Sequence, residues 1–498
     1  MKTFPDRVLV AAWLAVLLYF GECSVGHAAD FKNTAPAQRP PRMVPDYNGT
    51  TIPPNIAPLN FVLNEPGARF HVRIHSTQGQ PIEVSSRKPS IVIPLKSWQE
   101  LLRANAGQPL YLEIFAGEGR DQWLRFDTVT NRIAREEMDG YLVYRLLKPL
   151  YNIYVNLSIH QRNLQSYEER EVLHNRSFGR DCLNCHTFLN QSPDHMALNI
   201  RSKARGSPML LVRSNTVVNV AKTAGYLSWH PSGRLLAFSA NKLSLFFHTK
   251  GEETRDVFDA ESDLGLYRVD SNTVVMPPPI ASTNHVETWP AWSPDGRHLY
   301  FCRTSTGRRQ RFAQVRYDLM RAAYDLDHDK WGEPETLVSA RETRLSAAQP
   351  RVSPDGRFLL FCLSKYGHFP IYQPNSDLYV MDLASRKYWR LEINSDQADS
   401  WHSWSSNSRW IVFSSKRRDG LFARPYFSHV DEQGIFHKPF LLPQKGPAFY
   451  DSFIKTVNLP EFIREPIRVT PGELARAIVA PRTVLTPKSE PARGIASP

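Results

Sequence analysis

Residues 288–303 read TWPAWSPDGRHLYFCR, and three other stretches line up with them: YLSWHPSGRLLAFSAN (226–241), QPRVSPDGRFLLFCLS (349–364) and SWHSWSSNSRWIVFSS (400–415). Each joins a short apolar strand to a polar turn of Ser-Pro-Asp-Gly-Arg type and then to a second apolar strand. The turn has a physical logic: Pro fixes φ at the first corner, Asp caps the amides that follow, and Gly takes the corner that needs positive φ. The aligned positions Pro231, Pro294, Pro354 and Ser406 are spaced by 63, 60 and 52 residues. Later strands recur too, as in DLGLYRVD (263–270) and SDLYVMDL (376–383). Strand-only self-similarity at this period predicts the blades of a β-propeller, whereas a β-sandwich would need four coincidental turns. Four blades are visible, and divergent strands around 195–220 and 440–460 would complete a fifth or sixth.

The rest of the 498 residues suits further domains. Residues 61–165 read as mostly β. FHVRIHS (70–76) alternates Phe70, Val72 and Ile74 on one face, and SIVIPL, LYLEIFAG, WLRFD and YLVYRLL follow as strands. Ser97-Trp98-Gln99-Glu100 has the form of a capping box leading into one helix, with Gly107 as its stop. A β-sandwich-like domain over 61–165 is therefore expected. Residues 30–60 contain seven prolines and predict an extended arm. The tail 461–498 lacks periodicity and reads as disordered.

A composition of 42% hydrophobic and 22% charged residues excludes wholesale disorder and a polytopic membrane protein. The formal charge of +12 suits acidic partners or anionic surfaces, but no dense Lys/Arg stripe points to nucleic acid. Lys2 and Arg7 precede the apolar run VLVAAWLAVLLYF (8–20), followed by GECSVGHAAD. This is the layout of a signal peptide, residues 1–29, with cleavage after Ala29. Thirteen apolar residues are fewer than the roughly 20 a spanning helix needs, which makes an uncleaved anchor the minor reading. A periplasmic or otherwise exported protein is expected.

Beyond the leader only Cys182, Cys185, Cys302 and Cys362 remain, too few for a disulfide scaffold. Cys182-Leu183-Asn184-Cys185-His186 has the CxxCH spacing of covalent c-type haem attachment. Two thiols so spaced can each add to one vinyl group of a porphyrin edge, and His186 then supplies the proximal imidazole. An oxidised CxxC or half a zinc site is the alternative, although no second CxxC or His pair accompanies it. His174, His195, Met196 and Met209 are nearby candidates for the sixth ligand. The motif lacks the helices of a self-standing cytochrome, so a haem-binding segment over 166–205 is expected between two β domains, with the propeller over 206–460. Cys302 and Cys362 read as small buried residues, and Trp229, Trp292 and Trp404 as core.

The repeat resembles that of TolB-type propellers, which are related to WD repeats. With PDYNGTTIPPNIAPLNF (45–61), CLNCHTF (182–188), HSWSSNSRWIVFSSKRRDG (402–420) and KPFLLPQ (438–444), the chain from about 45 to 462 is similar to a bacterial family of secreted TolB-like proteins carrying one CxxCH. The resemblance implies Met196 as distal ligand, with Arg201 in the basic segment after it. This chain departs from the pattern at Asn199, where a His is expected, and at Gly206-Ser207, where a Gly-Gly pair is.

These readings converge on an all-β, exported monohaem c-type cytochrome with a propeller docking platform. Its expected role is electron transfer or redox sensing with a protein partner of the cell envelope. A haem-fed oxidoreductase in the propeller mouth, with His230, His285 and His402 near strand ends, is one alternative. An envelope protein-binding module of TolB type is the other. No Ser-His-Asp order, phosphate loop or paired-carboxylate motif supports a hydrolase.

Overall fold

The computed structural model describes residues 34–118, 122–148, 156–202, 204–220, 222, 224–248, 255–305, 312–481, 483 and 485. The expected signal peptide 1–29 lies outside them. Among the described residues no helix is long and apolar enough to cross a membrane.

The protein is all-β, and its larger part is a six-bladed propeller. Blade 1 runs outward from Thr456–Ile463 through Tyr141–Leu147 and Ser158–Asn163 to Glu169–His174. Blade 2 comprises Cys182–Phe188, His195–Arg201, Met209–Arg213 and Thr216–Val220. Blades 3 to 6 begin with the inner strands Leu227–Trp229, His285–Trp292, Ser346–Val352 and Asp399–Trp404. Neighbouring inner strands pack side by side around the whole circuit, and Thr456–Ile463 lies between those of blades 6 and 2. The ring is thus closed by a strand from the far end of the chain.

The Ser-Pro-Asp-Gly turns form as the repeat dictates. Gly233, Gly296 and Gly356 have φ of 71°, 73° and 74°, and Ser408 takes the same corner in blade 6 at 61°. Asp295 and Asp355 each accept from the amide two residues on, and Asn407 does so in blade 6. His230 replaces the Ser of this motif and joins two blades, one ring nitrogen meeting Ser232 Oγ (2.7 Å) and the other Gly296 O (3.1 Å). Cys302 and Cys362 are fully buried on the second strands of blades 4 and 5, outward of the inner strands, and both are free thiols.

Several boundaries differ from the sequence reading. Tyr141–Leu147 belongs to blade 1 because six of its seven residues are buried and pair on both edges, one with the C-terminal strand. The CxxCH stretch is an inner strand of the ring, so no separate haem segment stands between two domains. Part of the presumed disordered tail is ordered. A capping box of Thr470 and Glu473 starts the helix Pro471–Val479, which buries Leu474, Ala477 and Ile478. Asn219 Nδ2 donates to Ala477 O (2.8 Å) and Val220 bridges to Thr483, fixing this end to the outer edge of blade 2.

The N-terminal unit holds a seven-stranded and a three-stranded sheet. The proline-rich arm runs extended within it, its strands Thr34–Pro36 and Thr51–Ile52 pairing in parallel with Gln122–Arg125 and Val129–Ile133. The helix spans Leu95–Ala104. It starts at Pro94 without a side-chain cap, so the Ser97–Glu100 box falls inside it. Trp98, Leu101 and Leu102 face a core continuous with Trp410, Val412 and Phe427 of blade 6.

Two expectations follow. At Gly296, a Cβ would lie 2.4 Å from His230 Nε2 at a φ of 73°, whereas at Gly367, with φ of 71°, it meets nothing within 4 Å. Gly296→Ala should therefore cost about 3 kcal/mol in urea unfolding against about 1–2 kcal/mol for Gly367→Ala, the left-handed backbone strain alone. Glu287, buried on the inner strand of blade 4 with Arg303 Nε 3.3 Å away, has its pKa pushed up by burial to about 8. Between about 4.5 and 8 the folded form then holds a proton that the unfolded chain has lost, so stability falls as pH rises through that window. Glu287→Gln should flatten that slope; an unchanged urea midpoint-versus-pH curve would refute the assignment.

Candidate functional site

The axis of the propeller is lined in layers, one residue per blade. At the narrowest point every blade contributes an aligned dipeptide: Leu459-Pro460, Cys185-His186, Tyr226-Leu227, Trp289-Pro290, Gln349-Pro350 and Trp401-His402. Leu459, Trp289, Gln349 and Trp401 hold positive φ of 50–57°. The inner-strand pairings slip register around these positions in blades 1, 2, 4, 5 and 6. Such bulges turn backbone and side chains toward the axis. The neck they enclose has a volume of about 20 Å³.

The next layer is Glu461, Thr187, Ser228, Ala291, Arg351 and Ser403, around a cavity of about 110 Å³. Arg351 donates to Glu461 Oε1 (3.1 Å) and the pair lines both neck and cavity, forming a septum between them. Burial pushes the Glu461 carboxyl up to about 7, with Arg351 pulling the other way. Beyond lies a mouth of about 440 Å³, reaching the turns at Pro231, Pro294, Pro354 and Ser406.

The CxxCH motif is thus the blade 2 share of the neck. His186 is 1% exposed, and neither ring nitrogen has a hydrogen-bond partner; the Val143 and Leu459 backbones flank it without reaching hydrogen-bond geometry. Burial lowers its pKa to about 3, so the imidazole is neutral, the form that binds metals. Its ring meets Phe188 edge-on at 5.9 Å. Cys185 is buried and lines the neck, whereas half-buried Cys182 packs at the blade 1–blade 2 interface. Both are free thiols, and burial pushes Cys185 up to about 11 and Cys182 up as well. Thiols so shifted are not activated nucleophiles, which argues against a redox dithiol.

Met196 is fully buried, pairs with Phe188 across the sheet and packs with Leu198, Ile200 and Leu210, outside the residues lining the neck. His174 is bonded to Asn156, His195 pairs with Arg213, and Met209 is core. None of these lines the neck; His402 does. Its Nε2 meets Leu360 O (3.1 Å) and its Nδ1 Cys362 Sγ (3.7 Å). His285 sits at the outer start of its strand beside Ser282. Asn199, where the family resemblance expects His, is buried with its amide unpartnered.

The donor set is that of a covalently held haem, two free thiols at the required sequence spacing and a neutral, unpartnered imidazole, but only Cys185 and His186 face the neck. The neck does not hold the macrocycle, since about 20 Å³ is a water-sized space and ligands of that size fill several hundred. Among the described residues no three His, Cys, Asp or Glu gather as a metal site.

No family model and no curated protein matches this chain. Among solved structures, a TolB-assigned protein from Agrobacterium tumefaciens aligns at 17% identity and a TM-score of 0.38, covering 62% of this chain and 89% of that one. Kuenenia stuttgartiensis hydrazine synthase aligns at 13% identity and 0.29, over 51% of this chain and 64% of that one. The Swd1 β-propeller domain of Myceliophteria thermophila aligns at 11% and 0.32, over 52% and 71%. At these values nothing about function passes from those proteins to this chain, whose propeller is defined by its own sheets.

The septum yields a direct test. Arg351→Met removes the partly exposed counter-charge of buried Glu461, whose carboxyl then takes up a proton, and should cost about 1–3 kcal/mol in urea unfolding. The double variant Arg351→Met/Glu461→Leu should recover most of it, and a single variant as stable as the parent would contradict the buried pair.

Proposed function

We propose that this protein is an exported monohaem c-type cytochrome of the cell envelope. Cys182 and Cys185 would carry one haem c, with His186 as proximal ligand. The observation that supports this best is the unpartnered, neutral His186 at the propeller axis beside the free thiol of Cys185, with a second free thiol, Cys182, three residues earlier on the same strand. A bound haem supplies one-electron chemistry to such a site. The chain's own part is to keep His186 deprotonated by burial and to exclude bulk water from it behind the Arg351–Glu461 septum. Met196, from the family resemblance, stays the proposed distal ligand. Its seat in an apolar cluster outside the neck means that inner strands must shift for it to serve. The leader sequence supports export, and the propeller face supports docking of a redox partner.

A second reading, a propeller binding module whose CxxCH carries no group, is favoured by the closed neck. Intact mass decides between them. Produced in a host competent for covalent haem attachment, the matured chain should gain about 616 Da and keep its visible spectrum after heat denaturation. Cys182→Ala/Cys185→Ala should lose both. A colourless parent chain of unmodified mass would overturn the cytochrome reading.

A further inference from the structure

On the other side of the neck from the septum, a second group of polar side chains is buried without partners. The hairpin Leu235–Phe247/Arg255–Arg268 of blade 3 is far longer than its counterparts and reaches blade 5. There Asp256 accepts from Gln373 Nε2 (3.0 Å), and Arg255 stacks over the Tyr372 ring (4.8 Å). Asp259, on this hairpin, has a fully buried side chain, and neither carboxylate oxygen is hydrogen-bonded. Asn241, Ser262 and the Lys242 backbone stand close without reaching bonding geometry. His368 of blade 5 is 1% exposed; its Nε2 is unpartnered and lies 3.9 Å from Asp259 Oδ2. Tyr226 of the neck layer is buried with its hydroxyl unpartnered, its ring 6.1 Å from that of His368. Trp289 Nε1 donates to His368 O (2.8 Å) and holds that loop in place.

Proteins rarely leave a carboxylate and an imidazole unsatisfied side by side in the interior, here with a third buried and unpartnered group, the Tyr226 hydroxyl, on a neighbouring ring. A gap of 3.9 Å is too long for a hydrogen bond. It is shorter than two metal–ligand bonds of about 2.0–2.2 Å end to end, so one ion can touch both atoms. We propose that Asp259 and His368 form the core of a binding site for a first-row divalent metal ion, with Tyr226, which also lines the neck beside Cys185, flanking it. Oxygen and imidazole donors in this mix suit Zn²⁺, Mn²⁺ or Fe²⁺ rather than a thiophilic ion. His368 is kept neutral by burial, with its pKa near 3, and is ready to ligate. Asp259, pushed up to about 8 by burial against the pull of Arg201, carries a proton near neutrality that a cation would displace. Arg201 is the cation facing the site. Its guanidinium is turned to Asn241 Oδ1 (2.5 Å), and Tyr317 completes the group of ionisable neighbours.

The test uses the full mature chain carrying Cys182→Ala/Cys185→Ala, so that thiols cannot bind the probe. Stripped with chelator and titrated with Co²⁺ and Zn²⁺ at pH 7, it should take up one equivalent. About one proton should be released, and Co²⁺ should give the visible bands of an N/O site. Asp259→Asn and His368→Ala should each weaken binding at least tenfold, and Tyr226→Phe should shift the Co²⁺ bands, with far-UV circular dichroism unchanged. No uptake, or uptake that these folded variants leave intact, would overturn the proposal. Because the thiols are absent, the result is independent of whether the parent chain carries haem.

Discussion

The pairing of Thr456–Ile463 with Tyr141–Leu147 is the constraint on which the structure rests. Each blade presents two apolar faces, and only a closed circle covers both faces of all six. One strand, all eight of whose residues are buried, closes that circle and also supplies the first blade with its inner edge. The neck inherits its composition from this arrangement. Leu459, Pro460 and Glu461 come from the closing strand, whereas the other five blades give theirs from local hairpins.

The closed ring turns a one-dimensional repeat into layered chemistry. A position that reads as one residue in a strand becomes one sixth of a collar. The layer at Cys185 is aromatic-rich, the next holds His186, His402 and three prolines, and the third places one cation against one anion among small residues. Polar groups that would be solvated on a lone sheet are thereby dried out and gathered. Burial accordingly holds His186 and His368 uncharged while raising the carboxyls of Asp259 and Glu461.

The four turn repeats were legible because Pro, Asp and Gly at fixed offsets answer to local backbone geometry. The two remaining blades were legible only in part, as divergent strands around 195–220 and 440–460, because neither has the Pro-Asp-Gly turn and blade 1 draws its inner strand from across some three hundred residues. The CxxCH motif was plain, but not its place. Cys-His-Thr-Phe (185–188) stands in register with Trp-Pro-Ala-Trp (289–292), a correspondence that only aligned bulges expose. The Ser97–Glu100 box misled because a helix docked by Trp98 and Leu102 can begin a turn early at a proline. Asp259 and His368 gave no signal, being 109 positions apart and joined only by a long hairpin crossing the ring.

The seam of the circle lies within blade 1, and the strand that closes it, Thr456–Ile463, packs directly beside Cys182–Phe188. A chain emerging from its amino end therefore exposes the inner edge of blade 2 long before the strand that seals it has been made. Until that strand docks, the axis stays open on the side of blade 2 that carries Cys185 and His186.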